Sequence, residues 1–183
     1  MFDRQVFEAV NNIKPSARGE LEITDTIQYL IDKGYDVRHR LVGEQWIDTG
    51  KMEDILEANR LILETLEARV EGSLDESSKL HGVVVLEKGC RIVSNVIRGP
   101  SIIGEETEIV DSFVGSFASV YHHSTIRNSE VTNCIILENT VIENVGQRIE
   151  DSLIGRNVAL YGSNRLPRSY RLILGDFSQV YVP

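Results

Sequence analysis

Hydrophobic residues in the first third of the chain repeat with helical spacing. One apolar stripe runs from Val6 to Ile13 before Pro15, and a second runs from Ile23 to Ile31 before Gly34. Proline and glycine at these points are typical helix terminators. The pattern therefore predicts two amphipathic helices separated by a short loop.

The next forty residues add a strand pattern and a third helix. Residues 35–42, "YDVRHRLV", alternate between apolar and polar side chains, as a half-buried strand does. After "WIDTG" an apolar stripe extends from Met52 to Val70, and Glu53 and Asp54 fall in its first turn, where the helix dipole favours acids. Alternation of helix and strand predicts an incomplete α/β segment over residues 1–70.

Residues 71–79, "EGSLDESSK", are polar and lack a periodic apolar face. Glycine and serine in such a stretch are typical of a joint between domains. The sequence thus predicts a linker at 71–79, followed by a second domain over residues 80–183.

The second domain has a different period. Four similar segments, "IVSNVIRG", "IVDSFVGS", "IRNSEVTN" and "IEDSLIGR", begin at Ile92, Ile109, Ile126 and Ile149, at steps of 17, 17 and 23 residues. Within each step branched apolar residues recur about every six positions: Ile97, Ile103, Ile109, Val114, Val120, Ile126, Val131, Ile136, Ile142, Ile154 and Leu160. Three six-residue units per repeat predict one coil of a parallel β-helix, with a two-sheet sandwich as the alternative.

The end of the chain carries the same spacing once more. Leu174 and Val180 lie six residues apart in "YRLILGDFSQVYV". We predict that this segment adds a last coil that caps the β-helix, although a hairpin around Gly175 and Asp176 fits the alternation equally well.

Composition excludes several classes of partner. The net charge is −9, and the only loose basic cluster is Arg165, Arg168 and Arg171, so neither nucleic acid nor a membrane is expected as a partner. No apolar run approaches the roughly 18 residues of a membrane span, and the first residues do not resemble a signal peptide. Cys90 and Cys134 lack the spacing of zinc ligands or of a disulfide framework. A cytoplasmic protein is predicted.

Several polar residues are candidates for chemistry. Asp48, just before a helical stripe, has the residue type of a helix cap. Glu20 and Glu22 point the same way if their segment is extended, while Thr24 and Asp25 are placed to cap the following helix. Trp46, the only tryptophan, is interpreted as a packing residue.

The adjacent pair His122 and His123 leaves a second class of function open. Histidine serves as a general base in many transferases because its pKa lies near neutrality. The two residues follow the inward position Val120, however, where a turn favours polar side chains in any case. A structural role is therefore the preferred interpretation of the pair.

Two of these segments carry a family resemblance. "KPSARGELEITDTIQYLIDKGYDV" followed by "WIDTGKMEDILEANRLIL" resembles the C-terminal part of the catalytic domain of sugar-nucleotide pyrophosphorylases, most closely the glucose-1-phosphate thymidylyltransferase type with an appended hexapeptide β-helix. The resemblance implies a left-handed β-helix. It also implies that Asp48 is one of two carboxylates that hold Mg²⁺, and that Glu20 contacts the sugar. Sugar phosphate and nucleotide are the implied substrates.

The resemblance is incomplete at one important point. Such enzymes hold nucleotide phosphates with a glycine-rich loop of the type G-x-G-T-R-L-x-P, and nothing in this sequence matches it. We therefore expect an N-terminally truncated relative that has no catalytic residues of its own and is inactive alone. The alternatives are a hexapeptide acyltransferase using His122 or His123, or a non-catalytic module that forms homo-oligomers through the β-helix.

Overall fold

The computed structural model describes residues 2–41, 43, 47–163 and 169–181. The chain divides into two compact units, Met1–Trp46 and Ile47–Pro183. The first contains α1 (Gln5–Asn12) and α2 (Ile23–Asp32), which end close to Pro15 and Gly34 as predicted.

The two helices of the first unit are held together by a few buried residues and by two tyrosine hydrogen bonds. Ala9 of α1 is fully buried and Leu30 of α2 nearly so. The hydroxyls of Tyr29 and Tyr35 each donate to the Glu8 carboxylate at 3.3 Å. Phe7, by contrast, is 70% exposed. Part of the apolar stripe of α1 therefore remains on the surface of this unit.

The prediction of a strand over residues 35–42 is wrong for its described part, because residues 35–41 contain no strand. A strand is stabilised by a hydrogen-bonded neighbour, and the first unit contains no strand among its described residues. The alternation of apolar and polar residues was therefore not sufficient to form a strand in the absence of a neighbouring strand.

Among its described residues the second unit contains α3 (Met52–Glu64) and fifteen short strands. The strands are β1 (Arg69–Val70), β2 (Ser73–Leu74), β3 (Lys79–His81), β4 (Val84–Leu86), β5 (Arg91–Val93), β6 (Val96–Arg98), β7 (Ser101–Ile103), β8 (Glu108–Val110), β9 (Phe113–Val114), β10 (Ser119–Val120), β11 (Thr125–Arg127), β12 (Glu130–Ile136), β13 (Val141–Glu143), β14 (Ile149–Ile154) and β15 (Ala159–Tyr161). All of their pairings are parallel.

The strand order is that of a β-helix of about five turns. One side is formed by β2, β5, β8, β11, β13 and β15. The other sides start from β1 and β3, and β12 belongs to both, since its first residues pair with β9 and its last with β10. The predicted parallel β-helix is confirmed, and the two-sheet sandwich is excluded. The left hand of the coil stays a prediction.

The six-residue period marks the inward-facing side chains. Those predicted in the central coils are at most 2% exposed: Ile97, Ile103, Ile109, Val114, Val120, Ile126, Val131, Ile136 and Ile142. Equivalent residues of successive coils stack in register, as Ile109, Ile126 and Ile142 do. These columns form the hydrophobic core of the second unit.

The corners between sides require a left-handed backbone. Asn128 and Asn144 have φ values of 43° and 57°, a region that asparagine tolerates better than most residues. The Asn128 amide donates to the Asn144 side-chain oxygen at 3.0 Å. Stacked asparagines therefore satisfy one another along a corner, which explains the polar residues between the apolar columns.

Three boundaries differ from the sequence prediction. The stretch 71–79 contains β2 and the first residue of β3, because Ser73 and Leu74 pair with β5, so it lies within the coils. The third helix ends at Glu64, and Val70 lies in β1. No strand occurs in residues 169–181, where Leu174 and Val180 are 55% and 48% exposed. The predicted last coil is thus not formed by the described part of the tail.

A ladder of alternating charges lies on the outer surface of one side. Glu108 contacts both Arg91 and Arg127, and Arg127 also contacts Glu143 at 2.7 Å. The hydrogen bond from Arg127, followed by that from Arg91, lowers the pKa of Glu108 below its ordinary value of 4.5. The β-helix is therefore stabilised more by ionised than by protonated Glu108.

We expect this contribution to disappear in acid. Because the pKa of Glu108 is lower in the folded state than in the unfolded chain, its contribution is complete above pH 4.5 and is lost as the pH falls through the folded value. Between pH 7 and pH 3 the thermal midpoint of the wild type should fall further than that of Glu108→Gln. Exposed Glu76→Gln is the control and should behave as wild type. Equal falls in all three proteins would contradict a role for the ladder.

Candidate functional site

The loop before α2 separates Glu20 from Glu22. The Glu22 carboxylate accepts hydrogen bonds from Ser16 Oγ at 2.9 Å and from Arg18 Nη2 at 3.0 Å. Glu20 is exposed, and within the described part of the chain its carboxylate accepts no hydrogen bond, although its backbone oxygen accepts from the Ser16 N–H. Glu22 therefore stabilises the loop, and Glu20 is the carboxylate available to a ligand.

The predicted caps of α2 are not observed. Glu22 is the N-cap residue, and Thr24 and Asp25 already lie in the first helical turn. No side chain accepts the cap hydrogen bond. The helix begins at Ile23, which places Thr24 and Asp25 inside its first turn, so the prediction that these two residues cap it is wrong.

Asp48 does not cap α3 either. The helix begins at Met52 with Lys51 as its N-cap, and Asp54 accepts the Lys51 N–H at 3.1 Å. Asp48 is exposed and precedes the cap by three residues, too far to accept the hydrogen bonds of the first turn. If Gly50 were replaced by a residue with a side chain, the new Cβ would lie 3.7 Å from Asp48 Oδ1. Among the described residues no group donates a hydrogen bond to the Asp48 carboxylate, which is therefore available for another role.

The described residues do not by themselves form a metal site. Among the described residues no three histidines, cysteines or acids converge on a point that could hold a metal ion. Magnesium prefers several oxygen ligands in octahedral geometry, and Asp48 supplies one carboxylate. Glu20 belongs to the first unit and Asp48 to the second.

Two predicted features fall partly outside the described residues. Trp46, interpreted as a packing residue, lies outside them, as do Arg165 and Arg168 of the loose basic cluster, whose third member, Arg171, is exposed. None of the helices in the described ranges has the length and apolar character needed to span a bilayer.

The helix that follows Asp48 is attached to the β-helix by a polar anchor. The Asn59 amide donates to the backbone oxygen of Phe117 at 3.1 Å, and Ser119 Oγ donates to Asn59 Oδ1 at 2.6 Å. The Arg60 guanidinium lies 4.5 Å from the centroid of the Phe117 ring. Phe117 occupies a left-handed corner with φ 62°. This anchor fixes the α3 side of the segment that begins with Asp48.

Apolar packing reinforces the anchor. Leu56 and Leu63 of α3 are 6% and 2% exposed, and the helix packs against β12 and β14. On that side of the β-helix the outward residues Ile135 and Leu153 pair in register and are half-buried. The apolar stripe predicted for the third helix therefore covers an apolar row of the β-helix.

Sequence reasoning missed Asn59 and its partners. One signal was present in the sequence, because Phe117 stands at a coil corner where a polar residue is expected. A large aromatic at such a corner indicates a contact outside the coil. The identity of the contacting helix could not be read from that signal.

The two adjacent histidines have different surroundings. His122 Nδ1 accepts the Glu105 N–H at 3.0 Å, so the proton of the neutral ring is on Nε2. Neither nitrogen of His122 then has a free lone pair. His123 is exposed at a left-handed corner, and its ring centroid lies 6.3 Å from that of His122. The structure therefore favours the structural interpretation of the pair.

Comparison with known proteins shows what the chain is similar to. The nucleotidyl transferase family profile matches residues 1–65. The chain is 44% identical over 182 residues to a glucose-1-phosphate thymidylyltransferase of Streptomyces griseus, covering 100% of this chain and 51% of the relative. A second enzyme with that name, from Streptomyces antibioticus, is 46% identical over 181 residues, 99% of this chain and 51% of its own.

A more distant relative has the same coverage. The low-salt glycan biosynthesis nucleotidyltransferase Agl11 of Haloferax volcanii is 37% identical over 183 residues, 98% of this chain and 51% of the relative. The chain thus spans about half the length of the curated relatives it matches. Over its whole length it is similar to glucose-1-phosphate thymidylyltransferases, and the family resemblance predicted from its sequence is confirmed.

Proposed function

We propose that the chain is part of a nucleotidyltransferase that makes a nucleoside diphosphate sugar. In this reaction a phosphate oxygen of the sugar 1-phosphate attacks the α-phosphorus of a nucleoside triphosphate, and the bond to pyrophosphate breaks. The similarity to glucose-1-phosphate thymidylyltransferases over the whole chain is the observation that carries this proposal.

Within that function Asp48 and Glu20 have separate proposed roles. Asp48 supplies one carboxylate toward a divalent cation, for which Mg²⁺ is proposed, and its exposed position outside the helix cap is consistent with this role. Glu20 is proposed to bind a sugar hydroxyl, because its carboxylate is free while that of Glu22 is not. Both roles require groups beyond those described in this chain, since the described residues contain no metal site.

The family match and the packing assign α3 to different parts of the chain. By sequence, α3 lies within the nucleotidyl transferase match of residues 1–65. By packing it belongs with the β-helix, in the unit that starts at Ile47. We propose that residues 1–70 are the nucleotidyltransferase part of the chain. The β-helix would then hold the Asp48 segment through Asn59.

The compartment and the assembly are also proposals. Cys90 and Cys134 are free and buried, which suits a reducing cytoplasm. Sugar phosphate and nucleotide are the proposed ligands, and a homo-oligomer formed through the β-helix is the proposed assembly. The net charge of −9 argues against nucleic acid and anionic membranes.

We expect the purified 183-residue chain to show no thymidylyl transfer from dTTP to glucose 1-phosphate with Mg²⁺ present. The reason is that no segment of its sequence matches the glycine-rich phosphate loop of these enzymes. The measurement is pyrophosphate release, with the Streptomyces griseus relative as the positive control. Turnover by the isolated chain that Asp48→Ala abolishes would contradict this expectation.

A fusion protein distinguishes a chain whose active site is incomplete from a chain that does not have the proposed function. The part of the Streptomyces griseus relative that precedes the matched region, joined to this chain, should restore turnover. Asp48→Ala in the fusion should lower kcat/KM on the order of 100-fold, as loss of a group that stabilises transition-state charge does. Glu20→Gln should raise KM for glucose 1-phosphate, and the exposed first-turn acid Glu53→Gln is the control. A folded fusion without activity would contradict the proposed function.

A further inference from the structure

The loop between α1 and α2 closes on itself around Glu20. The Ser16 N–H donates to the backbone oxygen of Glu20 at 2.8 Å, and the Gly19 N–H donates to the backbone oxygen of Ser16 at 2.9 Å. These two hydrogen bonds tie together the ends of a turn formed by residues 16–20. The backbone of Glu20 is therefore fixed relative to that of Ser16.

Gly19 gives this turn its shape. Its φ of 81° lies in the left-handed region, which glycine adopts freely, asparagine tolerates and a β-branched residue avoids. A side chain added at Gly19 would meet no heavy atom of the described residues within 4 Å. Glycine is therefore favoured here by the backbone conformation and not by a lack of space.

Side chains connect the turn to the start of α2. The Glu22 carboxylate accepts hydrogen bonds from Ser16 Oγ and Arg18 Nη2, and Ser16 Oγ itself accepts the Arg18 N–H at 3.2 Å. Glu22 is the N-cap residue of α2, and its backbone oxygen accepts the N–H of the buried Thr26 at 3.2 Å. Glu22 thus links the turn to a helix that is held by buried residues.

Glu20 lies between these two fixed points. The turn shaped by Gly19 precedes it and the Glu22 carboxylate follows it, while its own carboxylate is exposed and accepts no hydrogen bond from the described residues. A binding group that is ordered before its ligand arrives loses less conformational entropy on binding. The loop therefore presents one unpaired carboxylate on an ordered backbone.

We propose that Gly19 and Glu22 are positioning residues, which hold the Glu20 carboxylate in place for a sugar hydroxyl. This rests on the proposed function, in which Glu20 binds the sugar of the sugar 1-phosphate. Gly19 sets the direction of the backbone that carries Glu20, and Glu22 keeps that backbone attached to α2. Loss of either should weaken sugar binding and leave the chemical step unchanged.

Kinetics of the fusion with the Streptomyces griseus relative test this role. We expect Gly19→Val and Glu22→Ala each to raise KM for glucose 1-phosphate about tenfold and to change kcat less than about twofold, because a misplaced group weakens ground-state and transition-state binding alike. Gly19→Asn should restore the KM of the unsubstituted fusion. The control is Asp32→Ala, an exposed acid of α2 that accepts from Gln28 at 2.8 Å. Equal KM values for Gly19→Val and Gly19→Asn would overturn the proposal.

A double substitution distinguishes positioning from a general effect on the fold. In a fusion that carries Glu20→Ala, the carboxylate to be positioned is absent, so the addition of Gly19→Val should raise KM no further. Independent effects would instead multiply. If Gly19→Val raises KM by the same factor with and without Glu20→Ala, Gly19 does not act through Glu20 and the proposal is wrong.

Backbone order in the 183-residue chain distinguishes failure of this proposal from failure of the proposed function. The heteronuclear nuclear Overhauser effect of an amide reports its motion on the picosecond to nanosecond timescale. For Glu20 it should match the α2 amides in the wild type and in Gly19→Asn, and it should fall in Gly19→Val and Glu22→Ala while the α2 amides keep their values. A low value for Glu20 in the wild type would overturn the proposal even if the fusion is active. A folded fusion without turnover would contradict the proposed function, and the positioning role with it.

Discussion

Replacement of Ile126 by alanine should lower the free energy of unfolding of the β-helix by about 2–5 kcal/mol. Ile126 is fully buried and pairs in register with Ile109 below and Ile142 above. Alanine leaves a cavity between two layers that cannot collapse, because the backbone ladders fix the spacing of the coils. Domains are commonly stable by about 5–15 kcal/mol, so the loss is a large fraction of the total.

Urea denaturation followed by circular dichroism measures this effect. Thr125→Ala is the control, because Thr125 is the half-buried outward neighbour of Ile126 in the same strand. We expect the control to change the free energy of unfolding by less than about 1 kcal/mol, as substitutions outside the core commonly do. Equal losses at the two positions would show that the apolar column is not the principal source of stability.

The β-helix could be predicted because its period is imposed by packing. Each side of a coil has room for one inward side chain, so a branched apolar residue recurs at every fifth or sixth position over several coils, as from Ile97 to Ile142. That constraint is local and repeated, and a single sequence displays it many times. The same spacing at Leu174 and Val180 is not accompanied by a strand in residues 169–181, because a six-residue period forms a coil only where its strands pair with those of a neighbouring coil.

The candidate site was less predictable because its contacts are distant in sequence. Asn59 and Phe117 are 58 residues apart, and neither residue type indicates the other. The helix cap was misassigned for a different reason. Both Asp48 and Asp54 are acids near the start of α3, and because the first turn begins at Met52, Asp54 rather than Asp48 accepts the N–H of the N-cap residue.

Weakening the contact between α3 and the β-helix should have the second large effect on stability. Leu63→Ala should cost about 2–5 kcal/mol of local stability, because Leu63 is 2% exposed in the helix that packs against β12 and β14. The neighbouring Ile62 is 63% exposed, so Ile62→Ala is a matched control with an expected change below about 1 kcal/mol. Two adjacent aliphatic residues on one helix thus differ only in the face that they occupy.

Amide hydrogen exchange distinguishes loss of the helix contact from general unfolding. In Leu63→Ala the amides of α3 should exchange faster, while those of β8 and β11 keep their protection, because the inward columns do not depend on the helix. The Lys51 amide, which donates to Asp54 at the start of α3, should lose protection together with the helix, since both belong to one segment held by Asn59. If the strands lose protection to the same extent as α3, the helix and the β-helix unfold as one cooperative unit. The β-helix would then stabilise the Asp48 segment only through the global fold, and the separate anchoring role of Asn59 would be wrong.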